Sequence, residues 1–346
     1  MNVPIMRTGD IRRPGFVDGL MLLMIGALLG GCGSPQVYSA RSAHEAPELF
    51  ENYAIMNDGF RLPVTHWKPD ADCRATVLAL HGLNDYRNAF QSTGQYLAAQ
   101  GVRVLAYDQR GFGDTSGSGR WHGSERMIAD LRLMVNLVRT RYPDCPLYVM
   151  GESMGGAVVL AGAGDLKESV AGLILVAPAI WSRDSMPFYQ RALLWLAAHS
   201  IPERRLTGKG LSLQPSDNIE MLRALGRDPL VIKATRVDVL YGVTNLMDQA
   251  VRASRILPDA GTLFLYGERD DIIPKAPTCQ LLKRLPASPE RRLQVALYQD
   301  GYHMLTRDLQ AERVLQDIAG WMLSAPGTDG VMAGGSDIDG FCSGVT

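Results

Sequence analysis

The chain has 346 residues, of which 46% are apolar and 21% charged, and its formal net charge is −1. This length allows one large α/β domain or two small ones. A near-neutral balance gives no electrostatic reason to expect a nucleic-acid partner, which would require a basic face. We therefore expect no nucleic-acid partner.

The first 31 residues are typical of an export signal. Three arginines precede an apolar run over 19–29, which ends in a Leu-Gly-Gly-Cys sequence at Cys32. The run is about a dozen residues, whereas a membrane-spanning helix needs about 20. Leu-Gly-Gly-Cys resembles a bacterial lipobox. That resemblance implies a signal peptide over 1–31 and lipidation of Cys32. Since Gly33 follows rather than Asp, it also implies a cell-envelope location, at the outer membrane if the source is a diderm bacterium. The alternatives are an uncleaved N-terminal anchor and a signal without lipid.

The remaining cysteines are Cys73, Cys145, Cys279 and Cys342. In an oxidising compartment they can form disulfides, but the pairing does not follow from sequence, and buried thiols are the alternative. None has the spacing of a metal site. We predict neither a metal nor a cofactor.

Extended segments follow a small, polar stretch over 32–48, which we interpret as a tether. Segments 53–56 and 61–67 flank an Asn-Asp-Gly sequence, which predicts a hairpin. Six apolar runs then predict buried strands. They are 75–80, 102–107, 147–150, 173–176, 262–266 and 293–298.

Helical spacing of apolar residues alternates with these strands, over 124–141, 154–163 and 311–323. Alternating β and α segments predict a mostly parallel sheet with helices on both faces, here over 49–179 and 256–324. Between these parts, 180–255 reads as an inserted helical cap. Six cap residues either line an acyl channel or form the cap's own core: Phe188, Tyr189, Leu193, Leu194, Trp195 and Leu196. The Gly-, Ser- and Asp-rich tail, 325–346, is predicted to be disordered.

The strongest chemical motif is Gly-Glu-Ser-Met-Gly-Gly over 151–156, between a predicted strand and a predicted helix. A sharp turn there projects the hydroxyl of Ser153 from the sheet edge, and the flanking glycines avoid clashes with neighbouring backbone. Ser153 is therefore the predicted nucleophile.

A serine nucleophile requires a base, and the expected chain order is serine, acid, histidine. Asp270 follows the strand at 262–266, and His303 follows the strand at 293–298. We assign His303 as the base and Asp270 as the residue that orients it. Asp271 is the rival acid; the Gly-x-x-Asp-x-x-x-Pro spacing favours Asp270.

The loop His81-Gly82-Leu83-Asn84 follows the first parallel strand, where donors to a developing oxyanion are expected. We predict that the backbone N–H groups of Leu83 and Met154 are these donors. We expect His81 to brace the loop. The other histidines are expected to be packing or surface residues: His44, His66, His122 and His199.

These motifs, together with Tyr-Asp-Gln-Arg-Gly-Phe-Gly over 107–113, resemble the monoacylglycerol lipase and lysophospholipase group, within the serine aminopeptidase S33-like hydrolases. The resemblance spans about 53–323. It implies an α/β-hydrolase fold, a lipid-ester substrate and a serine carboxylic-ester hydrolase that acts through an acyl-enzyme. Three alternatives stay open. The first is a peptidase that binds a substrate amine through a cap acid, with Glu203, Glu220 and Asp238 as candidates. The second is a catalytically silent lipoprotein that binds lipid or a partner. The third is an acyltransferase that uses the same residues but passes the acyl group to an alcohol instead of water.

Overall fold

The described part of the chain, in a computed structural model, comprises residues 34–38, 45–208, 210–255, 257, 261–285, 293–324 and 337–344. Cys32 and the predicted signal peptide lie outside these residues. Within them, no helix is long and apolar enough to cross a membrane.

A mostly parallel sheet lies at the centre. Its strands are β1 (Glu48–Leu49), β2 (Tyr53–Ile55), β3 (Arg61–Trp67), β4 (Ala75–Leu80), β5 (Val102–Tyr107), β6 (Leu147–Glu152), β7 (Gly172–Val176), β10 (Thr262–Gly267) and β11 (Leu293–Tyr298), in the order β1-β2-β3-β5-β4-β6-β7-β10-β11. From β5 to β11 neighbouring strands are parallel, and β1, β2 and β3 add antiparallel pairs at one edge. A separate two-stranded ladder joins β8 (Arg205–Leu206) to β9 (Thr235–Arg236).

Helices cover both faces of this sheet, and two others lie in the inserted segment. The α-helices of the described residues are α1 (Gln91–Ala99), α2 (Ser124–Arg141), α3 (Met154–Leu166), α4 (Phe188–Ser200), α5 (Ile219–Arg227), α6 (Val237–Ala253), α7 (Lys275–Arg284), α8 (Ala311–Leu323) and α9 (Ile338–Phe341), of which α4 and α5 are the two in the inserted segment. Strand side chains alternate between two apolar cores. On β4, Leu78 and Leu80 face one core, and Val77 and Ala79 face the other. The predicted α/β-hydrolase architecture and hairpin are confirmed.

The boundary of the cap differs from the sequence prediction. Helix α6 packs against α3, and Val239, Leu246 and Ala250 on it are buried in the core. It therefore belongs to the layer that covers the sheet, so the extension of the cap to residue 255 is wrong. The cap is therefore segment 187–236, which is hydrogen-bonded to the loops that follow β4 and β11.

The two termini of the described chain also pack on the domain. In the segment predicted as a tether, the Tyr38 backbone N–H donates to the Trp121 carbonyl at 2.7 Å. In the tail, α9 buries Phe341, and a disulfide joins Cys342 to Cys279 on α7. The prediction of disorder is therefore wrong for residues 337–344. A covalent bond, which sequence periodicity does not reveal, holds them in place.

Candidate active site

Ser153 lies on a sharp turn between β6 and α3. Its φ of 52° and ψ of −115° are a strained conformation for a residue with a side chain. The turn requires glycine nearby: a Cβ atom on Gly155 would lie 2.1 Å from the Leu80 carbonyl oxygen, and one on Gly151 would lie 2.5 Å from the carbonyl carbon of Gly155. The neighbouring strand and helix therefore approach as closely as the motif predicts.

A hydrogen-bonded chain of three side chains begins at this turn. His303 Nε2 lies 2.9 Å from Ser153 Oγ, and His303 Nδ1 lies 2.8 Å from Asp270 Oδ2. His303 is 5% exposed and Asp270 is 7% exposed. The three residues follow β6, β10 and β11 at their carboxyl ends, so the parallel sheet brings them to one edge.

The second oxygen of Asp270 is also occupied. Asp270 Oδ1 accepts the backbone N–H groups of Ile272 and Ile273 at 2.8 and 2.9 Å. These bonds fix the carboxylate so that Oδ2 faces the imidazole. Asp271, the rival acid, is exposed. The structure thus places Asp270 and not Asp271 against His303.

The predicted oxyanion loop lies directly against the serine. A Cβ atom on Gly82 would be 3.3 Å from Ser153 Cβ. His81 Nε2 accepts the Gln109 N–H at 2.9 Å, so its Nδ1 carries the proton and donates to the Gly82 carbonyl at 2.8 Å. Because that carbonyl shares its peptide group with the N–H of Leu83, His81 orients the predicted donor. Burial lowers the pKa of His81, which favours this neutral form. Met154, whose N–H is the other predicted donor, opens α3.

Comparison with known proteins shows the family of this chain. The family model described as serine aminopeptidase, S33, matches residues 71–310. A monoacylglycerol lipase of Mycolicibacterium smegmatis is 30% identical over 275 residues, which are 77% of this chain and 94% of the relative. The chain belongs to the serine aminopeptidase S33 family. This S33-family chain is therefore a serine hydrolase, as its motifs predict.

Other relatives of this S33-family hydrolase include a monoglyceride lipase of Rattus norvegicus, 27% identical over 82% of this chain and 93% of the relative. Among solved structures, a monoacylglycerol lipase of Paleococcus ferrophilus superposes with a TM-score of 0.62 at 21% identity, over 76% of this chain and 98% of that one. A soluble variant of the Saccharomyces cerevisiae monoglyceride lipase gives a TM-score of 0.64 at 21% identity, over 83% and 96%. These structural similarities support the fold.

The remaining histidines of the S33-family hydrolase are not part of the hydrogen-bonded series Ser153, His303 and Asp270. His122 is buried and His66 is half-buried, and burial lowers the pKa of each, that of His122 to about 4. His199 lies on α4, where its ring stacks on Trp195. His44 lies outside the described residues. Within those residues, no group of three or more His, Cys, Asp and Glu side chains is arranged to hold a metal ion.

One group beside the site was not predicted from sequence. Arg307, four residues after His303, lies 2.8 Å from Asp85 and 2.7 Å from Glu152. Burial opposes its charge, but the two carboxylates outweigh burial and raise the pKa of the guanidinium. The only sequence signal was a glutamate placed directly before the nucleophile.

The cap is attached to the same loops. The Asn84 side chain donates to Thr235 Oγ1 at 2.7 Å on one side. On the other, Ser216 Oγ donates to Asp308 Oδ1 at 2.6 Å. Helix α4, which precedes both attachments in the chain, presents apolar side chains outward. Of the six candidates for an acyl channel or a cap core, five are at least half exposed, and Phe188 reaches 77%. These five side chains therefore do not form a buried core of the cap, which was one of the two expected roles.

Proposed function

We propose that this chain hydrolyses carboxylic esters of monoacyl lipids, monoacylglycerols or lysophospholipids, through an acyl-enzyme on Ser153. The observation that carries the proposal is the chain from Ser153 through His303 to Asp270, with the loop of Leu83 against the serine. Relatives named monoacylglycerol lipase or monoglyceride lipase support the substrate class.

The geometry supports a two-step acyl transfer. His303 takes the Ser153 proton as Oγ attacks the ester carbonyl, and Asp270 stabilises the resulting imidazolium. The N–H groups of Leu83 and Met154 receive the negative charge that forms on the carbonyl oxygen. The alcohol leaves with the proton from His303. A water molecule, deprotonated by His303, then releases the fatty acid and restores Ser153.

The exposed cap surface supports a lipid substrate. Phe188, Leu193 and Trp195 on α4 are 77%, 63% and 52% exposed, and Arg191 is exposed on the same helix. Aromatic and aliphatic side chains beside a cation are the composition of helices that lie in a membrane interface. We infer that α4 contacts the lipid surface from which the substrate enters.

The cysteines support an envelope location for this activity. Cys73 pairs with Cys145 and Cys279 with Cys342, and disulfides persist in oxidising compartments. Of the five cysteines in the sequence, these pairs leave Cys32, the residue that the lipobox resemblance marks for lipidation. We propose that a lipid on Cys32 anchors the chain to the outer membrane.

The contact of Tyr38 with the domain is consistent with an orientation in which α4 faces the membrane. Five residues lie between Cys32 and Tyr38, a reach of about 20 Å at most. Tyr38 bonds to Trp121, and the Trp121 ring packs directly on Gly242 of α6, which packs in turn on α4. A lipid at Cys32 would therefore hold the cap side of the domain near the bilayer.

The peptidase alternative lacks a comparable observation. Among the three candidate acids for binding a substrate amine, Asp238 is buried against Arg236, and Glu203 and Glu220 are exposed beside Arg236 and Arg223. Each therefore already has a cationic partner.

The test is a substrate panel on the domain from residue 33 onward, with monoacylglycerols, lysophospholipids, p-nitrophenyl esters and aminoacyl amides. We expect fatty acid release from a monoacyl lipid that Ser153→Ala abolishes. Cleavage of aminoacyl amides alone would replace the proposal with the peptidase, and inactivity on every substrate would favour the lipid-binding alternative. For the anchor, Cys32→Ser in the full chain should release the protein from membranes; continued membrane attachment would point to an uncleaved helix.

A further inference from the structure

The end of strand β6 and two loops of the site meet at a single buried guanidinium. Arg307 Nη1 lies 2.8 Å from Asp85 Oδ2, and Arg307 Nη2 lies 2.7 Å from Glu152 Oε1. The three side chains are 9%, 7% and 2% exposed. We call Asp85, Arg307 and Glu152 the ion triangle.

Each residue of the ion triangle lies next to the predicted nucleophile, the oxyanion loop or the loop that carries the predicted base. Glu152 directly precedes Ser153. The Asp85 N–H donates to the Gly82 carbonyl at 3.3 Å, which closes a turn around Leu83. The backbone N–H of Arg307 donates to the Met304 carbonyl at 2.8 Å, which closes the turn after His303. The ion triangle therefore connects the nucleophile, the oxyanion loop and the loop of the base.

Stability alone is a weak reason for this arrangement. Burying charges costs several kcal/mol per ion, and apolar replacements of buried ion networks are often neutral or stabilising. A planar guanidinium, however, fixes the separation and angle of the two carboxylates that it contacts, which a lysine ammonium does not. Such rigidity matters here because a misplacement of about 1 Å costs on the order of 10²-fold in rate.

We propose that Arg307 is a positioning residue, which holds the oxyanion loop and the base loop in register with Ser153 and so sets the rate of acyl transfer. The inference rests on the proposed hydrolase function of Ser153. It does not depend on which ester is the natural substrate.

The test compares Arg307→Lys with the matched control Arg110→Lys. Arg110 is likewise buried and likewise bridges two carboxylates, of Asp58 and Asp130, but neither of these carboxylates adjoins Ser153, Leu83 or His303 in the sequence. We would titrate active sites with a fluorophosphonate, then measure its rate of reaction with Ser153, the kcat and KM for a p-nitrophenyl ester, and the Tm. Phosphonylation needs the nucleophile, base and oxyanion donors but no particular lipid, so it separates failure of this inference from failure of the substrate assignment.

We expect Arg307→Lys to lower both kcat per titrated site and the phosphonylation rate about 10²-fold, with KM changed less than threefold. Arg110→Lys should lower the Tm and leave both rates within threefold of the original. If the single variants unfold, the uncharged triple variant Asp85→Asn, Glu152→Gln, Arg307→Met takes their place, because it leaves no buried charge without a partner. We expect it to fold and to keep the reduced kcat and the reduced phosphonylation rate. Original rates per titrated site in either Arg307 variant would overturn the inference.

Discussion

Replacing Asp270 by Asn tests whether Asp270 Oδ2 orients the imidazole of His303, because it changes only one atom of the side chain. The backbone N–H groups of Ile272 and Ile273 both donate to Asp270 Oδ1. An asparagine keeps these bonds only if its carboxamide oxygen takes that position. Its NH₂ group then faces His303 Nδ1, which must act as an acceptor. The His303 proton moves to Nε2, and the ring can no longer take the proton of Ser153.

The size of the effect follows from the cost of the opposite orientation. Turning the amide would leave two buried N–H donors unsatisfied, at about 1–3 kcal/mol each. Keeping the His303 proton on Nδ1, as the reaction requires, would therefore cost about 2–6 kcal/mol. This corresponds to a loss of about 30-fold to 10⁴-fold in kcat/KM. The analogous change in the serine-protease triad costs about 10⁴-fold.

The assay is p-nitrophenyl ester hydrolysis per titrated active site, with Asp271→Asn as the matched control. Asp271 is adjacent in sequence but exposed, so its variant should keep its rate within about threefold. A loss below fivefold in Asp270→Asn, or a greater loss in Asp271→Asn, would refute this account of the acid.

Three further predictions concern the fold. Gly155→Ala should abolish hydrolysis and lower the Tm, because the new methyl would lie 2.1 Å from the Leu80 carbonyl; unchanged activity would contradict the close approach of strand and helix. Cys342→Ser should cost about 2–4 kcal/mol in urea unfolding, because the disulfide to Cys279 closes a 63-residue span; an unchanged midpoint would mean that the tail adds no constraint. His122 is held neutral by burial, with a pKa of about 4, so the unfolded chain binds more protons between pH 4 and 6.5 and the free energy of unfolding falls as pH drops through that window. His122→Phe should reduce this fall by about 3 kcal/mol; an unchanged pH slope would contradict the assignment.

Strand and helix positions followed well from hydrophobic patterning. Buried parallel strands are continuous apolar runs, so β4, β5 and β11 coincide with their predicted bounds. The same regularity made the site predictable, since Ser153, Asp270 and His303 each follow a strand of one parallel sheet. The three residues meet because parallel strands end at the same edge of the sheet. The alternation of β and α segments in the sequence had predicted a parallel sheet.

Features that depend on tertiary contacts were not predictable. Helix α6 has the amphipathic pattern of any surface helix, and nothing in that pattern shows that its partner is α3 instead of the cap. The tail helix α9 lies in a Gly-rich segment whose composition indicates disorder, but the disulfide of Cys342 fixes it to α7. The Arg307 contacts join residues more than 150 positions apart, and charged residues at such distances give no local signal.

The most direct test of the central claim is to identify the acylated residue. A monoacylglycerol would be mixed with the enzyme, quenched in acid within one turnover, and the protein digested for mass spectrometry. The account predicts the mass of one acyl chain on the peptide that contains Ser153, and no adduct in Ser153→Ala. Turnover of the lipid with the acyl group on another residue, or with no adduct dependent on Ser153, would contradict it.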